Sequence, residues 1–181
     1  MKSVFCFFLS VIVLVFLLDT AFSQKIDWYV TQTFIKKPYL PSKDSSGYEW
    51  YEYSYNDTKW SPLKNLPDRG WGCDKCDRYY RGYFELTEDN LNANDYYLDF
   101  TSDDGIWIYV NSGIVGHWGG EMHKGGRANG PGAGKYEKVD PVFVSDKLHS
   151  GKNVISVHVS ECDGLEFFDM KFYVRPKRYE E

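Results

Sequence analysis

The sequence has 181 residues, a formal net charge of −5 and an aromatic content of 18%. The negative balance argues against nucleic-acid binding, which calls for a basic surface opposite the phosphates. The aromatic excess favours β-strands, whose half-buried pleated surface suits aromatic side chains, and it also favours faces that stack on flat ligands such as sugar rings.

Residues 1–23 are typical of a secretory signal peptide. Lys2 gives a positive start, residues 4–18 form an almost unbroken apolar run, and residues 21–23 (Ala-Phe-Ser) place small residues where signal peptidase cuts. The apolar run is shorter than the roughly 20 residues that a membrane-spanning helix needs. We therefore expect cleavage before Gln24 rather than a membrane anchor, and a secreted, extracellular protein with no membrane span after cleavage.

Downstream of residue 23, short runs with apolar residues at every second position alternate with turn-forming Gly, Asn and Asp. This period of two predicts β-strands and no helix of useful length. About eight strands are predicted, at residues 27–34, 48–55, 79–86, 96–100, 105–110, 142–144, 153–160 and 167–174. They indicate an all-β fold, an antiparallel β-sandwich (jelly roll) over residues 47–181, with residues 24–46 as a loosely attached N-terminal arm.

The alternation also predicts which side chains face the core. The residues predicted to face it are Tyr80, Phe84, Leu86, Ile106, Ile108, Val110, Phe168, Met170, Phe172 and Val174. The residues predicted on the opposite faces of the same strands are Arg81, Glu85, Trp107 and Tyr109.

Residues 117–138 interrupt this pattern because glycine is dense there. Eight of the sixteen glycines lie between residues 116 and 138, and no strand or helix of ordinary length tolerates that density. The segment is predicted to be a long loop, which in a compact domain is usually functional. A loosely ordered insertion is the alternative.

Three cysteines follow the predicted cleavage site: Cys73, Cys76 and Cys162. In an oxidising compartment this odd number predicts one disulfide and one remaining thiol, either free or bonded to another chain. A Cys73–Cys76 bridge would close a very short loop, so a long-range bridge from Cys162 is preferred, without excluding the short one. A zinc site that combines these cysteines with His117 or His123 is disfavoured by secretion and by the spacing.

Four stretches together resemble a known architecture. Residues 55–62, with an acidic residue before Trp60, are similar to the start of galactose-binding-like domains, and residues 78–86 to an aromatic strand in sugar-binding modules of glycoside hydrolases. Residues 98–111 resemble that group and also the protective-antigen-type and fibro-slime β-sandwiches, in which an Asp-Asp-Gly turn precedes a hairpin. Residues 148–159 match the Gly-Lys-Asn-Val-Ile strand of these modules. The resemblance implies a galactose-binding-domain-like sandwich.

The same resemblance implies a calcium site. In calcium-dependent adhesins of the protective-antigen type, a paired-aspartate turn supplies calcium ligands, and Asp103 and Asp104 stand at that place. Because Ca²⁺ needs six to eight oxygen ligands, loop carbonyls or Asn129 would have to complete the set. The alternative is that Asp-Asp-Gly only makes a tight turn through side-chain to backbone hydrogen bonds.

A sugar-binding surface is predicted in and beside the glycine-rich segment. Its candidate residues are Trp107, His117, Trp118, His123 and Arg127. Aromatic rings there could stack on a sugar, and imidazole or guanidinium groups could donate to its hydroxyls. Trp107 stands on a strand and is expected mainly to pack, whereas Trp118 is expected to be exposed. Asn56 begins the sequon Asn-Asp-Thr and is a predicted glycosylation site.

No catalytic motif is present in the sequence. The carboxylates that could be imagined as a glycosidase pair are Glu121, Glu161, Asp163 and Glu166, and their spacing does not distinguish them from solvated charges. The predicted function is a non-catalytic, lectin-like module with calcium as its candidate cofactor and a carbohydrate or glycoprotein as its partner. The alternative is a structural or adhesive matrix protein without a sugar ligand, cross-linked through the odd cysteine.

Overall fold

The structure is a computed structural model that describes residues 22–23, 25–30, 34–35, 41–73, 76–118, 140–161 and 166–178. Among these residues, no helix is long and apolar enough to cross a membrane. Cys162, His123, Arg127, Asn129 and residues 119–138 of the predicted loop lie outside the described residues.

Strands make up most of the described chain. In chain order they are β1 (Phe22–Ser23), β2 (Asp27–Val30), β3 (Phe34–Ile35), β4 (Ser61–Pro62), β5 (Asp68–Arg69), β6 (Cys76–Leu86), β7 (Asn94–Ser102), β8 (Gly105–Val110), β9 (Gly113–Trp118), β10 (Val142–Phe143), β11 (Gly151–Glu161) and β12 (Phe167–Pro176). A short helix, α1 (Glu88–Ala93), joins β6 to β7, and a 3₁₀ turn covers Ser145–Lys147.

The described strands form two antiparallel sheets. The first has the order β1-β12-β7-β10, with β5 also pairing with β12. The second has the order β4-β2-β6-β11-β8-β9, with β3 also pairing with β6. The predicted all-β antiparallel sandwich is therefore confirmed.

The hydrophobic core lies between the sheets and follows the predicted alternation. Ile155, Val157 and Val159 of β11 are fully buried, as are Ile106 and Ile108 of β8. From the first sheet, β12 adds Phe168, Met170 and Phe172, which are at most 6% exposed. Each of these side chains contributes about 1.5–3 kcal/mol by leaving water, so the core dictates which face of each strand turns inward.

The second sheet is covered on its outer face as well. Trp50 is 3% exposed and packs edge-on against Tyr79 and Tyr109, with ring centroids 4.8 and 5.5 Å apart. Tyr51 stacks on Tyr109 at 4.5 Å. Arg81 faces away from the core as predicted, but this covering segment, residues 41–60, buries it completely.

Residues 48–55 do not form the predicted strand. They form successive turns, in which Glu52 N donates to Glu49 O and Tyr55 N donates to Glu52 O. Their aromatic side chains pack on the outer face of the sheet instead of pairing with a strand. An aromatic-rich run is compatible with either arrangement, because the free energy comes from burial in both.

Part of the predicted N-terminal arm lies in the second sheet. Asp27–Val30 pairs with β6, and Trp28 stands opposite Gly82. A Cβ at Gly82 would lie 2.8 Å from the Trp28 ring, so glycine is needed for this close approach.

The hairpin between β8 and β9 has an irregular turn and register. Asn111 and Ser112 have φ of 48° and 74°, and the register shifts between Ile108 and Tyr109. The hairpin returns the chain along β8, so that Trp118 pairs with Ile106 at the end where β8 begins.

Candidate functional site

Three carboxylates meet at one end of the sandwich. Asp103 and Asp104 form the turn between β7 and β8, and Glu161 is the last residue of β11. Because Ser160 of β11 pairs with Gly105, Glu161 is placed beside the turn. Carboxylate oxygens of the three residues lie within 4.8 Å of one another; we refer to this group as the carboxylate cluster.

The turn itself uses the side-chain hydrogen bonding expected of Asp-Asp-Gly. Oδ1 of Asp103 accepts from Asp104 N at 3.1 Å, and Asp103 N donates to Phe167 O at 2.9 Å. Asp104 has φ of 55°, a left-handed conformation that Asp adopts more readily than most residues. The turn chemistry and a metal-binding role are therefore compatible in the same residues.

Glu161 belongs to the cluster although it was not among the calcium ligands predicted from the sequence. It is 1% exposed, and neither carboxylate oxygen has a hydrogen-bond partner among the described residues. Burial, together with the negative charges of Asp104 and Asp103, raises the pKa of Glu161 to about 8. Without a cation, Glu161 is therefore mostly protonated at neutral pH.

The sequence does contain a signal for Glu161. Ile155, Val157 and Val159 face the core, and Glu161 has the same parity on the strand. A carboxylate at a core-facing position is costly unless it is paired, protonated or bound to a cation. The missing information was the register between β11 and β8, which brings Glu161 to Asp103 and Asp104.

Glu166 and the cysteine turn close the same end of the sandwich. Oε1 of Glu166 accepts from Cys73 N at 2.8 Å, and the Glu166 charge also raises the pKa of Glu161. Cys73 is bonded to Cys76, with Cα atoms 6.1 Å apart. The preferred long-range bridge to Cys162 is therefore wrong: the turn before β6 already brings its two cysteines within disulfide distance.

The oxygen-only donor set of the cluster fits Ca²⁺. Hard carboxylate oxygens suit this ion, and three of them could supply part of its six to eight ligands, with backbone carbonyls and water as the remainder. Glu161 is a buried carboxyl group without a hydrogen-bond donor among the described residues, and either a proton shared with Asp104 or a cation would satisfy it.

Trp107 and His117, two of the predicted ligand residues, lie in a row of rings across the outer face of the second sheet. Register places Tyr79, His158, Trp107 and His117 side by side on β6, β11, β8 and β9. Successive rings are stacked with centroids 4.4, 4.8 and 6.0 Å apart. Trp107 is half-buried and His117 is exposed, so the row ends in an accessible imidazole at the edge strand.

Trp118 lies on the opposite face of β9. It packs against the core, with its ring 4.7 Å from that of Phe100, and it is partly buried rather than exposed. A Cβ at Gly116 would lie 2.7 Å from the Trp118 ring, which shows how closely the indole covers the strand. The structure thus separates Trp118 from Trp107 and His117.

The predicted glycosylation site is accessible. Asn56 is exposed, and its Oδ1 accepts from Thr58 Oγ1 at 2.8 Å within the sequon turn.

Comparison with solved structures finds proteins that contain a similar fold. A glycosyl hydrolase family 2 member from Bacteroides cellulosilyticus matches 87% of this chain over 20% of its own length, with 14% identity and a TM-score of 0.56. A mutant of Bacteroides uniformis beta-glucuronidase 2, described as a calcium binding mutant, matches 87% of this chain with 18% of its own length, at 12% identity and a TM-score of 0.57. A beta-glycosidase from Bacteroides vulgatus matches 87% of this chain with 20% of its own length, at 16% identity and a TM-score of 0.54.

The chain spans about a fifth of the length of these similar proteins. Its β-sandwich fold is therefore similar to one part of each of these longer chains. At these identities the likeness shows the fold alone. No family model and no curated protein matches the sequence.

Proposed function

We propose that this protein is a secreted, non-catalytic, lectin-like module that binds carbohydrate with the help of calcium. The observation that carries the proposal is the carboxylate cluster, in which Glu161 is buried without a hydrogen-bond donor among the described residues. The cluster lies at the end of the sandwich where β9 ends at Trp118, beside Ile106. The glycine-rich segment follows Trp118 in the sequence, and loops at the end of a sandwich are frequent binding sites.

The residues of the cluster would hold the ion in a defined place. Asp103, Asp104 and Glu161 come from a tight turn and a central strand, both fixed by backbone hydrogen bonds. A bound calcium ion would offer open coordination positions to neighbouring hydroxyls of a sugar. Trp107 follows Gly105, the residue after the Asp-Asp turn, by only two positions, and its ring stacks on that of His117. Both rings are therefore candidates for contacts with a ligand bound at this end of the sandwich.

The similar solved structures support this proposal without extending it to catalysis. Each is named as a glycosidase or glycosyl hydrolase family member. The part of each chain that corresponds to this protein is 18–20% of its length. A sugar-related accessory role for such a sandwich agrees with the absence of a catalytic motif in the sequence.

The test combines a glycan array with calcium titration. On the array, we expect defined glycans to be retained in calcium and lost in EDTA. By calorimetry, we expect the calcium affinity to fall at least tenfold in Glu161→Gln and Asp104→Asn. Glu85→Gln is the matched control, because Glu85 is an exposed carboxylate on β6. Calcium affinity that is the same in all three variants as in the wild type would refute the metal site.

A second candidate function is supported by the cysteine pairing. Since Cys73 and Cys76 bond to each other, Cys162 is the remaining cysteine after the predicted cleavage site. A structural or adhesive protein could use it to cross-link chains. A blank glycan array together with multimers on non-reducing gels, abolished by Cys162→Ser, would favour this alternative.

A further inference from the structure

A second pocket lies away from the carboxylate cluster, on the outer face of the second sheet. It has a volume of about 290 Å³, close to the lower limit for small-molecule sites. Strands β2, β6 and β11 form its floor, and the covering segment forms one wall. The lining residues that matter for its chemistry are Tyr29, Asp57, Thr58, Trp60, Tyr83 and Lys152.

Three partly exposed aromatic rings surround the pocket. Tyr29 and Tyr83 meet edge to face with centroids 5.8 Å apart. Trp60 comes from the covering segment and is supported by Tyr55 at 5.9 Å. The rings of Tyr29 and Trp60 can stack on the C–H face of a pyranose, and their contacts with Tyr83 and Tyr55 hold them in place before a ligand arrives.

The polar group of the pocket is also fixed in advance. Oδ2 of Asp57 accepts from the Tyr83 hydroxyl and, at 3.0 Å, from Nε of Arg81. Arg81 is fully buried and donates from Nη1 to the carbonyl of Trp50 at 2.6 Å. Burial raises the pKa of Tyr83 to about 12, so its hydroxyl keeps its proton. These contacts leave Oδ1 of Asp57 as an acceptor for a ligand hydroxyl.

The charged residues that line the pocket, Asp27, Asp57 and Lys152, disfavour an anionic ligand. Nζ of Lys152 lies 4.2 Å from the centroid of the Tyr83 ring, so a cation already occupies that aromatic face. An anionic ligand would meet the Asp57 carboxylate, whereas a neutral polyol can accept from Lys152 and donate to Asp57. We propose that this pocket binds a neutral hexose unit of a saccharide; the choice of a saccharide rests on the proposed function.

The pocket is independent of calcium. Lys152 is the second residue of β11 and Glu161 is the last, so they lie nine positions apart along the strand, which corresponds to about 30 Å. A ligand in the pocket therefore does not touch the carboxylate cluster, and binding here should persist in EDTA.

Saturation-transfer-difference NMR with the methyl glycosides of galactose, glucose, mannose and N-acetylglucosamine tests the pocket. The chain is produced in the bacterial periplasm, which permits the disulfide and leaves Asn56 unmodified. We expect at least one glycoside to bind equally in calcium and in EDTA. Trp60→Ala should weaken that binding at least about fivefold, as expected for loss of a stacked ring, and Lys152→Ala should also weaken it.

Phe143→Ala is the matched control, since Phe143 is a 48% exposed aromatic residue outside the pocket. Lys152 is exposed, so its variant reports on the pocket even if Trp60→Ala lowers the thermal midpoint. The proposal is overturned if no glycoside binds in EDTA, or if both pocket variants bind as Phe143→Ala does. Binding that needs calcium and is lost in Glu161→Gln would overturn the pocket and support the proposed function. If binding in EDTA is abolished by Trp60→Ala and no calcium-dependent binding is found, the pocket is supported and the calcium-dependent function is overturned.

Discussion

Nε2 of His158 lies 2.8 Å from Oδ1 of Asp77, and both side chains are at most 2% exposed. The imidazole is stacked between Tyr79, at 4.4 Å, and Trp107, at 4.8 Å. Stacking fixes the plane of the ring and the carboxylate fixes its rotation. The pair therefore anchors the row of rings that leads to the exposed His117.

Asp77→Ala is expected to lower the free energy of unfolding by about 1–3 kcal/mol, because it removes a buried hydrogen-bond partner of His158. Urea denaturation measures the loss. Lys25→Ala is the control: it breaks a 3.4 Å ion pair with Asp27 that is exposed to solvent, and such pairs contribute little. Similar losses in the two variants would show that the His158–Asp77 pair does not anchor the sheet.

Arg81→Lys is expected to destabilise the protein by at least about 2 kcal/mol. The guanidinium donates from Nη1 to Trp50 O at 2.6 Å, from Nη2 to Tyr53 O at 3.3 Å and from Nε to Asp57 Oδ2 at 3.0 Å. A single ammonium group cannot reproduce this fork, and each buried acceptor left unsatisfied costs about 1–3 kcal/mol.

Limited proteolysis gives a second measurement of the same variant. Loss of the guanidinium contacts should expose the covering segment and accelerate cleavage within residues 41–60. Arg175→Lys is the matched control, because Arg175 is exposed and lies over the Tyr97 ring. Equal cleavage rates in both variants would contradict the role given to Arg81.

These two predictions also show what sequence reasoning could reach. The period of two in β8 and β12 was sufficient to place Ile106, Ile108 and Phe172 in the core, because only the alternation within each strand matters there. It placed Arg81 on the opposite face but could not predict its burial, which depends on where a segment about 30 residues earlier crosses the sheet. Glu161 was missed as a cluster residue for the same reason: its position depends on a long-range register.

Trp118→Ala is expected to lower the thermal midpoint by several degrees. The indole packs on Phe100 and the core, and truncating a partly buried Trp should cost about 2–3 kcal/mol. Ile114→Ala, a 56% exposed position on the same strand, should leave the midpoint nearly unchanged. An unchanged midpoint in Trp118→Ala with weaker sugar binding would instead support the exposed role that the sequence indicated.

Asn56 should carry an N-linked glycan when the chain passes through a eukaryotic secretory pathway, because the sequon is exposed in a turn. Intact-mass measurement before and after enzymatic deglycosylation checks this. Thr58→Ala should remove the added mass, whereas Thr58→Ser preserves the sequon and should retain it. An unmodified wild-type chain recovered from the medium would contradict the prediction.

The stability of the cation-free protein is expected to fall as pH rises from about 4.5 to about 8. In the folded state the pKa of Glu161 is raised from 4.5 to about 8, so between these values the folded state binds more protons than the unfolded state, and raising the pH favours unfolding. Denaturation in EDTA across this range measures the slope, which Glu161→Gln should reduce and Glu85→Gln should not.

Calcium should reverse this pH dependence at the cluster, since the ion needs the ionised carboxylate and takes the place of the proton. Calcium binding at pH 7 should therefore release close to one proton, measurable by calorimetry in buffers with different ionisation enthalpies. Glu161→Gln has no proton to release at this position, whereas Glu85→Gln should behave like the wild type. Binding with no proton release in the wild-type protein would show that calcium does not ionise Glu161, and that the cluster is not its site.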